Sequence, residues 1–412
     1  MSDQTDSNQR EFPPEILDTI VDELKGNKCA LIQLSLVCRD LYPRTRIYLF
    51  YSVSLSTKAD CDRLRTLLTL SPKLAIHFKD LRISCREFLL SADHESLTVV
   101  EPLINITSLS LESIGFLFPK REFCQSVWDS LCSHSYRSIQ ISSWCFARMD
   151  EFCGLMYESP NLYRIETLLV TYPEPQFSPQ HPRDHSTRSP VELVIDDISE
   201  NPEVVLGSAI SLFPCPYSLR SVRFLKIRLS CRSPVFLQRL DHFLTLPTTS
   251  LKNLYIRHCF GPDETPTTVN LNVSRVENVG IRISNHQPNV SVRFDWWIAN
   301  FKQVDHHNSI HTITFVISES NTEDEASPLA SIRSMETCWS QLDECLASPR
   351  LASLTHVAII FEGLPLPGWE EAKMLLEGKF TRLKQLGREL VLGRNLDVLA
   401  SEAHRSFESF LL

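Results

Sequence analysis

Leu251-Lys252-Asn253-Leu254-Tyr255-Ile256 carries apolar side chains at its first, fourth and sixth positions. Leu254 and Ile256 share one face of an extended chain, because side chains alternate across a strand with period two. The same spelling recurs on both sides of this stretch. Toward the N-terminus it reads Leu219–Val222–Phe224, Ile165–Leu168–Val170, Tyr136–Ile139–Ile141, Ile106–Leu109–Leu111 and Phe78–Leu81–Ile83, with a weaker copy at Leu193–Ile195. Toward the C-terminus it reads Val276–Val279–Ile281, Ile310–Ile313–Phe315 and Leu354–Val357–Ile359. Segments of helical character fill several gaps: Arg121 to His134, Asp150 to Glu158, Pro234 to Leu246, Asp295 to Phe301 and Met335 to Ala347.

Short strands that regularly alternate with return segments bury their apolar faces only by lying against neighbours. The early steps between units, 25 to 30 residues, sit near the 20–29 residue period of leucine-rich repeats. The expected fold class is therefore an α+β or α/β solenoid, with residues 76–362 as an irregular leucine-rich-repeat-like horseshoe. The asparagine that standard repeats carry is mostly missing, so the array is expected to be degenerate. The competing reading is that short strands of any α/β protein match so loose a template. Pro173 to Pro190 and Ser318 to Pro328 read as long polar loops.

In such an array the outward strand positions line a binding face. Here they include Arg82, Gln140, Arg223, Tyr255, Arg257 and Arg282. Tyrosine and arginine often carry interface energy. Tyr255, Arg257 and Arg282, on adjacent expected strands, are the candidate contacts for an acidic or phosphorylated target. Scattered solubilising charge is the bland alternative.

Composition narrows the function classes. The chain has 412 residues, 43% of them apolar, and a formal net charge of −9. It offers no basic footprint for neutralising phosphates, which argues against nucleic acid. Residues 1–10 are polar and acidic, read as a disordered tail rather than a signal peptide. No stretch approaches the roughly 18–20 apolar residues that span a bilayer. Thirteen scattered cysteines without a C-x-x-C pair fit a reduced compartment, cytoplasmic or nuclear.

Only eleven glycines are present, and no phosphate-cradling glycine loop or G-x-S-x-G is found. His306, His307 and His311 run into an expected strand, so their spacing is not that of two helical metal ligands. Asp196-Asp197 and Glu370-Glu371 lack a context for acid–base work, and Trp296-Trp297 with Phe301 reads as a core stripe. No catalytic residue, metal or cofactor is expected.

At the N-terminus, Phe12-Pro13-Pro14-Glu15-Ile16-Leu17 opens a helix: proline is tolerated in the first turn and Glu15 suits the positive end of the dipole. Ile16, Leu17, Ile20, Val21 and Leu24 form one stripe at helical period, stopped by Gly26-Asn27. A second helix follows through Leu31, Leu34, Val37 and Cys38, and a third starts near Pro43. Asp60 to Leu70 reads as a further helix.

Phe12-Pro13-Pro14-Glu15-Ile16-Leu17, Ser35-Leu36-Val37-Cys38-Arg39, Arg46 and Leu49-Phe50 together resemble the F-box of fungal F-box proteins, over residues 11 to 51. The stretch that follows resembles the same group. Two positions depart from the pattern: Phe12 replaces the usual leucine, and Leu41 stands where tryptophan is common. The resemblance implies a three-helix module that binds the Skp-type adaptor of cullin–RING ubiquitin ligases. It carries the adaptor contacts to Phe12, Pro13, Ile16, Leu17, Ile20, Leu34, Val37 and Cys38.

The expected organisation is a tail (1–10), an F-box (11–55), a linker helix (56–75), the repeat-like array (76–362) and a C-terminal helical cap (363–412). The expected function is the non-catalytic, substrate-recognition subunit of an Skp–cullin–F-box ligase that binds an unknown target protein. An interaction scaffold with no ligase connection is the alternative. An enzyme on an α/β frame would need convergent polar residues that the sequence does not offer.

Overall fold

A computed structural model describes residues 13–37, 39–84, 94–113, 123–144, 146, 149–168, 170, 190–196, 221–230, 234–246, 250–259, 269–284, 290–318, 332–333, 335–362 and 368–394. Twelve strands form one sheet in chain order, and every described pairing is parallel. Helices interleave with the strands, as parallel neighbours require a crossover. The architecture is α/β and opens with helices.

This corrects the expected horseshoe: the described residues show a twelve-stranded all-parallel sheet, not a leucine-rich-repeat array. The six-residue spelling marks a short strand with an apolar lead-in, and the strands of a parallel α/β sheet satisfy it equally well. The array reading also required the alternate strand positions to stay open. At the C-terminal end they are covered: residues 312–317 and 357–361 are buried without alternation. Near-continuous apolar strands are what a parallel sheet covered on both faces produces.

Contacts divide the chain into two compact units, one of Met1–Trp144 with Gly154–Ser159, the other of Cys145–Cys153 with Pro160–Leu412. In the first, α1 (Pro14–Glu23), α2 (Lys28–Val37) and α3 (Tyr42–Leu49) enclose a small core of Val21, Leu31 and Leu41, with Leu17, Leu24, Leu34, Tyr48 and Leu49 packed against it. Asn27, expected to end the first helix, also caps the second, its Oδ1 accepting from Ala30 N at 3.1 Å. α4 (Lys58–Leu70) begins in a reciprocal Thr57–Asp60 capping box. It follows β1 (Ser52–Leu55), which it contacts, and precedes β2 (Asp80–Ser84), β3 (Ser108–Glu112) and β4 (Ser138–Ser142). α5 (Gln125–Cys132) follows β3. Leu81, Leu109 and Ile139 form one buried row across the sheet, and Ile83, Leu111 and Ile141 the next.

The second unit holds α6 (Met149–Tyr157) apart from its last residues, then β5 (Arg164–Leu168), β6 (Glu192–Asp196), β7 (Phe224–Ser230) and α7 (Pro234–Thr245). β8 (Asn253–Cys259), β9 (Asn278–Ser284), α8 (Val290–Lys302) and β10 (Thr312–Ser318) come next. α9 (Glu336–Leu346), β11 (His356–Glu362), α10 (Trp369–Lys379), α11 (Thr381–Gln385) and β12 (Glu389–Gly393) complete it. Leu254, Val279, Ile313 and Val357 are in register as one buried row, and Ile256, Ile281, Phe315 and Ile359 as another. Burying each such side chain contributes about 1.5–3 kcal/mol.

Helices α8 and α9 cover this side. The Trp339 ring meets Phe294 edge-on at 5.2 Å and lies 6.3 Å from both Phe361 and Phe380. Trp296, Trp297 and Phe301 are buried core, as their helical spacing implied. On the opposite face of the sheet Val194, Phe224, Tyr255, Val316, Ala358 and Ile360 form a second apolar cluster.

Three strand positions differ from the sequence reading. β5 turns Ile165 and Thr167 inward, leaving Leu168 half-buried and the buried Val170 beyond its end, and β7 begins at Phe224 with Leu225 and Ile227 buried. β12 occupies part of the expected all-helical cap. The final helix expected through Leu396 to Leu412 lies outside the described residues, as do the two long loops for most of their length.

Candidate docking surfaces

The three N-terminal helices are too short to bury all their apolar side chains, and the structure shows which remain outside. Leu31 faces the small core and is fully buried, whereas Leu36 and Val37 at the end of the same helix are 82% and 79% exposed. Ile16 and Ile20 on α1, Ile32 on α2, and Tyr42, Ile47 and Tyr51 around α3 are exposed as well. Eight large apolar side chains thus meet solvent within 39 residues, 13–51. Single exposed apolar residues are ordinary; a concentration of them marks a docking surface.

Of the residues expected to contact an adaptor, Pro13, Ile16, Ile20 and Val37 are on the outside. Leu17 and Leu34 are half-buried against the Val21–Leu31–Leu41 core, so they hold the helices together as well as reaching the surface. Phe12 and Cys38 lie outside the described residues. The sequence reading missed Ile32, Leu36, Tyr42, Ile47 and Tyr51. The signal was there in α2, whose apolar residues occupy both sides of the helix when only one side has a core to face.

A polar cluster braces the module from within. Both arms of the Arg44 guanidinium donate to the Asp22 carboxylate at 2.7 Å, and the Tyr48 hydroxyl donates to Asp22 Oδ1 at 2.8 Å. The hydrogen bonds from Arg44 and then Tyr48 hold the Asp22 carboxyl down at about 2. The Arg46 guanidinium stacks 4.4 Å from the Tyr42 ring centroid. The pairing joins α1 to α3, so the exposed residues are presented by a fixed pair of helices.

The second candidate surface is the Tyr255–Arg257–Arg282 patch. Tyr255 is not on the surface: it is buried within the second-face cluster, and burial pushes its pKa up to about 12 against the pull of the neighbouring Arg282 guanidinium. Arg257 and Arg282 are half-buried on the same face. Arg282 Nη2 donates to Glu362 Oε2 at 2.5 Å and its Nε donates to Ser318 Oγ at 3.0 Å. Arg82 is paired with Asp80 at 3.0 Å, and Gln140 and Arg223 are exposed.

No group of three metal-ligating side chains is found among the described residues. His306 and His307 are exposed in a turn, and His311 Nδ1 lies 3.1 Å from the Ser353 carbonyl. Glu370 and Glu371 stand exposed in the first turn of α10, and the side chains of Asp196 and Asp197 lie outside the described residues. A cavity of about 340 Å³ is lined by Arg65, Leu68, Pro72, Val99 and Pro102 among others. Arg65 is already engaged, donating to Asp62 at 2.7 Å and to the Ser96 carbonyl at 3.1 Å. The remaining lining is mostly apolar, without the convergent polar groups of a reaction centre. No helix of the described residues is long and apolar enough to cross a membrane.

No protein-family model matches the chain, and no curated protein is similar to it.

Proposed function

We propose that the chain is a non-catalytic substrate receptor of a cullin–RING ubiquitin ligase. Its first three helices dock on a Skp-type adaptor, and its sheet unit holds a target protein. The observation that carries this reading is the run of exposed apolar side chains on α1–α3, above all Leu36 and Val37, on a module whose sequence resembles an F-box. Holding a target beside the transferring enzyme raises its effective concentration, so the receptor itself needs no bond chemistry.

The test is co-expression of the full chain with a Skp-type adaptor, followed by size-exclusion chromatography. A single one-to-one peak supports the reading. Two separate peaks, with the chain folded, overturn it and leave an interaction scaffold without a ligase connection.

A further inference from the structure

We propose that the cavity formed by α4 and the 3₁₀ helices Pro72–His77 and His94–Val100 binds a small amphiphilic carboxylate, its chain inside and its head at Arg65. The site lies within the first unit and is independent of the receptor reading above. The cavity measures about 340 Å³, within the roughly 300–1,000 Å³ range of small-molecule sites. Leu68, Ala75 and Val99 supply buried wall, whereas Pro72 and Pro102 are exposed, so the space opens to solvent. An apolar cavity is poorly hydrated and accepts an apolar guest. Leu70, Ile76 and Ile104 are exposed aliphatic side chains on the same segments, and Asn105 Nδ2 ties the last of these segments to the Ile76 carbonyl at 3.1 Å. Apolar surface thus continues beyond the cavity.

The polar groups of the wall select the head. Thr69 Oγ1 donates to the Arg65 carbonyl and Thr98 Oγ1 to the Glu95 carbonyl, both at 2.8 Å, so neither hydroxyl proton is left for a ligand. Arg65 is the charged residue of the wall. Its Nη1 donates to Asp62 Oδ1 at 2.7 Å and its Nη2 to the Ser96 carbonyl at 3.1 Å. These bonds orient the guanidinium and use two of its five N–H donors. The others suit an anion, and a carboxylate meets a guanidinium with two oxygens in one plane. Asp62, half exposed and three residues away on the same helix, holds Arg65 only weakly. A cationic ligand would meet Arg65 directly, and a sugar or nucleotide would find no convergent donors and acceptors.

Titration calorimetry of the full chain with butyrate, hexanoate, octanoate and 1-octanol, below micellar concentrations, tests the site. Each methylene that enters the cavity contributes a factor of about four. Octanoate should therefore bind about a hundredfold or more tighter than butyrate, and at least tenfold tighter than 1-octanol. Arg65→Gln should erase the preference over 1-octanol while leaving 1-octanol binding within twofold of wild type. Thr69→Trp, which puts a large side chain at an exposed position in the wall, should abolish binding of both. Arg63→Gln, an exposed arginine on α4 outside the wall, should change neither by twofold, and Asp62→Asn should tighten octanoate. Thermal melts establish that each variant is folded. No saturable octanoate binding, equal binding of octanoate and 1-octanol, or unchanged binding by Thr69→Trp overturns the site. Flotation with phosphatidylglycerol vesicles that Thr69→Trp abolishes, without octanoate binding, overturns the free ligand in favour of a lipid surface.

Discussion

Replacing Leu36 and Val37 together by alanine separates docking from folding. Both side chains end α2 pointing to solvent, 82% and 79% exposed, so the isolated chain loses almost no buried area. Surface changes of this kind shift stability by no more than about 0.5 kcal/mol. In a complex that covers them, the pair loses roughly five methyl or methylene groups at about 0.8 kcal/mol each. Scaled by their exposure, this is about 3 kcal/mol, a weakening of adaptor affinity by roughly a hundredfold or more. Leu31→Ala, on the inner side of the same helix, should behave in the opposite way: it opens the Val21–Leu31–Leu41 core and costs about 2–5 kcal/mol of module stability. The assay is titration calorimetry with the adaptor, beside thermal melts of the same preparations. An affinity change below threefold, or a destabilisation by the double variant as large as that of Leu31→Ala, would mean that Leu36 and Val37 are not docking contacts. Leu17→Asp is a poor probe, since Leu17 belongs partly to the core.

Asp22 ties acid stability to the helical module. Its folded pKa of about 2 lies below the ordinary 3.8, so its contribution is complete above the ordinary value and vanishes as pH falls through about 2. Asp22→Asn should therefore give a shallower loss of helical ellipticity between pH 4 and 2 than wild type; equal slopes would contradict the Arg44–Tyr48 bracing. Cysteine alkylation should be graded. Exposed Cys29 should react in the native protein, while Cys61 and Cys345, whose thiols burial pushes up to about 11, should stay unmodified until urea unfolds the chain. Mass spectrometry showing native labelling at Cys345 would contradict the packing of α9. Trp339→Ala should cost about 3–5 kcal/mol in urea denaturation, because it empties the contact among Phe294, Phe361 and Phe380; a loss under 1 kcal/mol would mean that α9 is not seated on the sheet.

Alternation and caps made much of the secondary structure legible. Leu254 and Ile256, Val279 and Ile281, and Val357 and Ile359 all lie inward as their spacing required, and the helices near Pro234, Trp297 and Trp339 fall where gaps were read. The supersecondary reading failed because the template reports one face of a strand and is silent about the other. Val316 and Ile360 are apolar at outward positions and buried there, a pattern that points to a sheet covered on both sides. β5 and β7 were misplaced where a small polar residue faces inward, at Thr167, or where an apolar lead-in resembles a strand, at Val222. β12 was absorbed into a helical region because Glu389-Leu390-Val391-Leu392 has apolar residues at consecutive positions.

The candidate surfaces were legible to different degrees. Periodicity identified the apolar helices but not which side faces outward, since Leu31 and Leu36 are indistinguishable until the core partner is known. Arg257 and Arg282 could be placed on neighbouring strands from sequence. Tyr255 was read as surface because its position alternates with Leu254 and Ile256, yet an apolar cluster covers that face.

The proposed docking of α1–α3 on a Skp-type adaptor is tested by hydrogen–deuterium exchange of the full chain with and without that adaptor. Slowed exchange should be confined to peptides within residues 13–51, strongest around Leu36 and Val37, with β7 to β11 unchanged. No protection anywhere, or protection centred on the sheet strands, would contradict it.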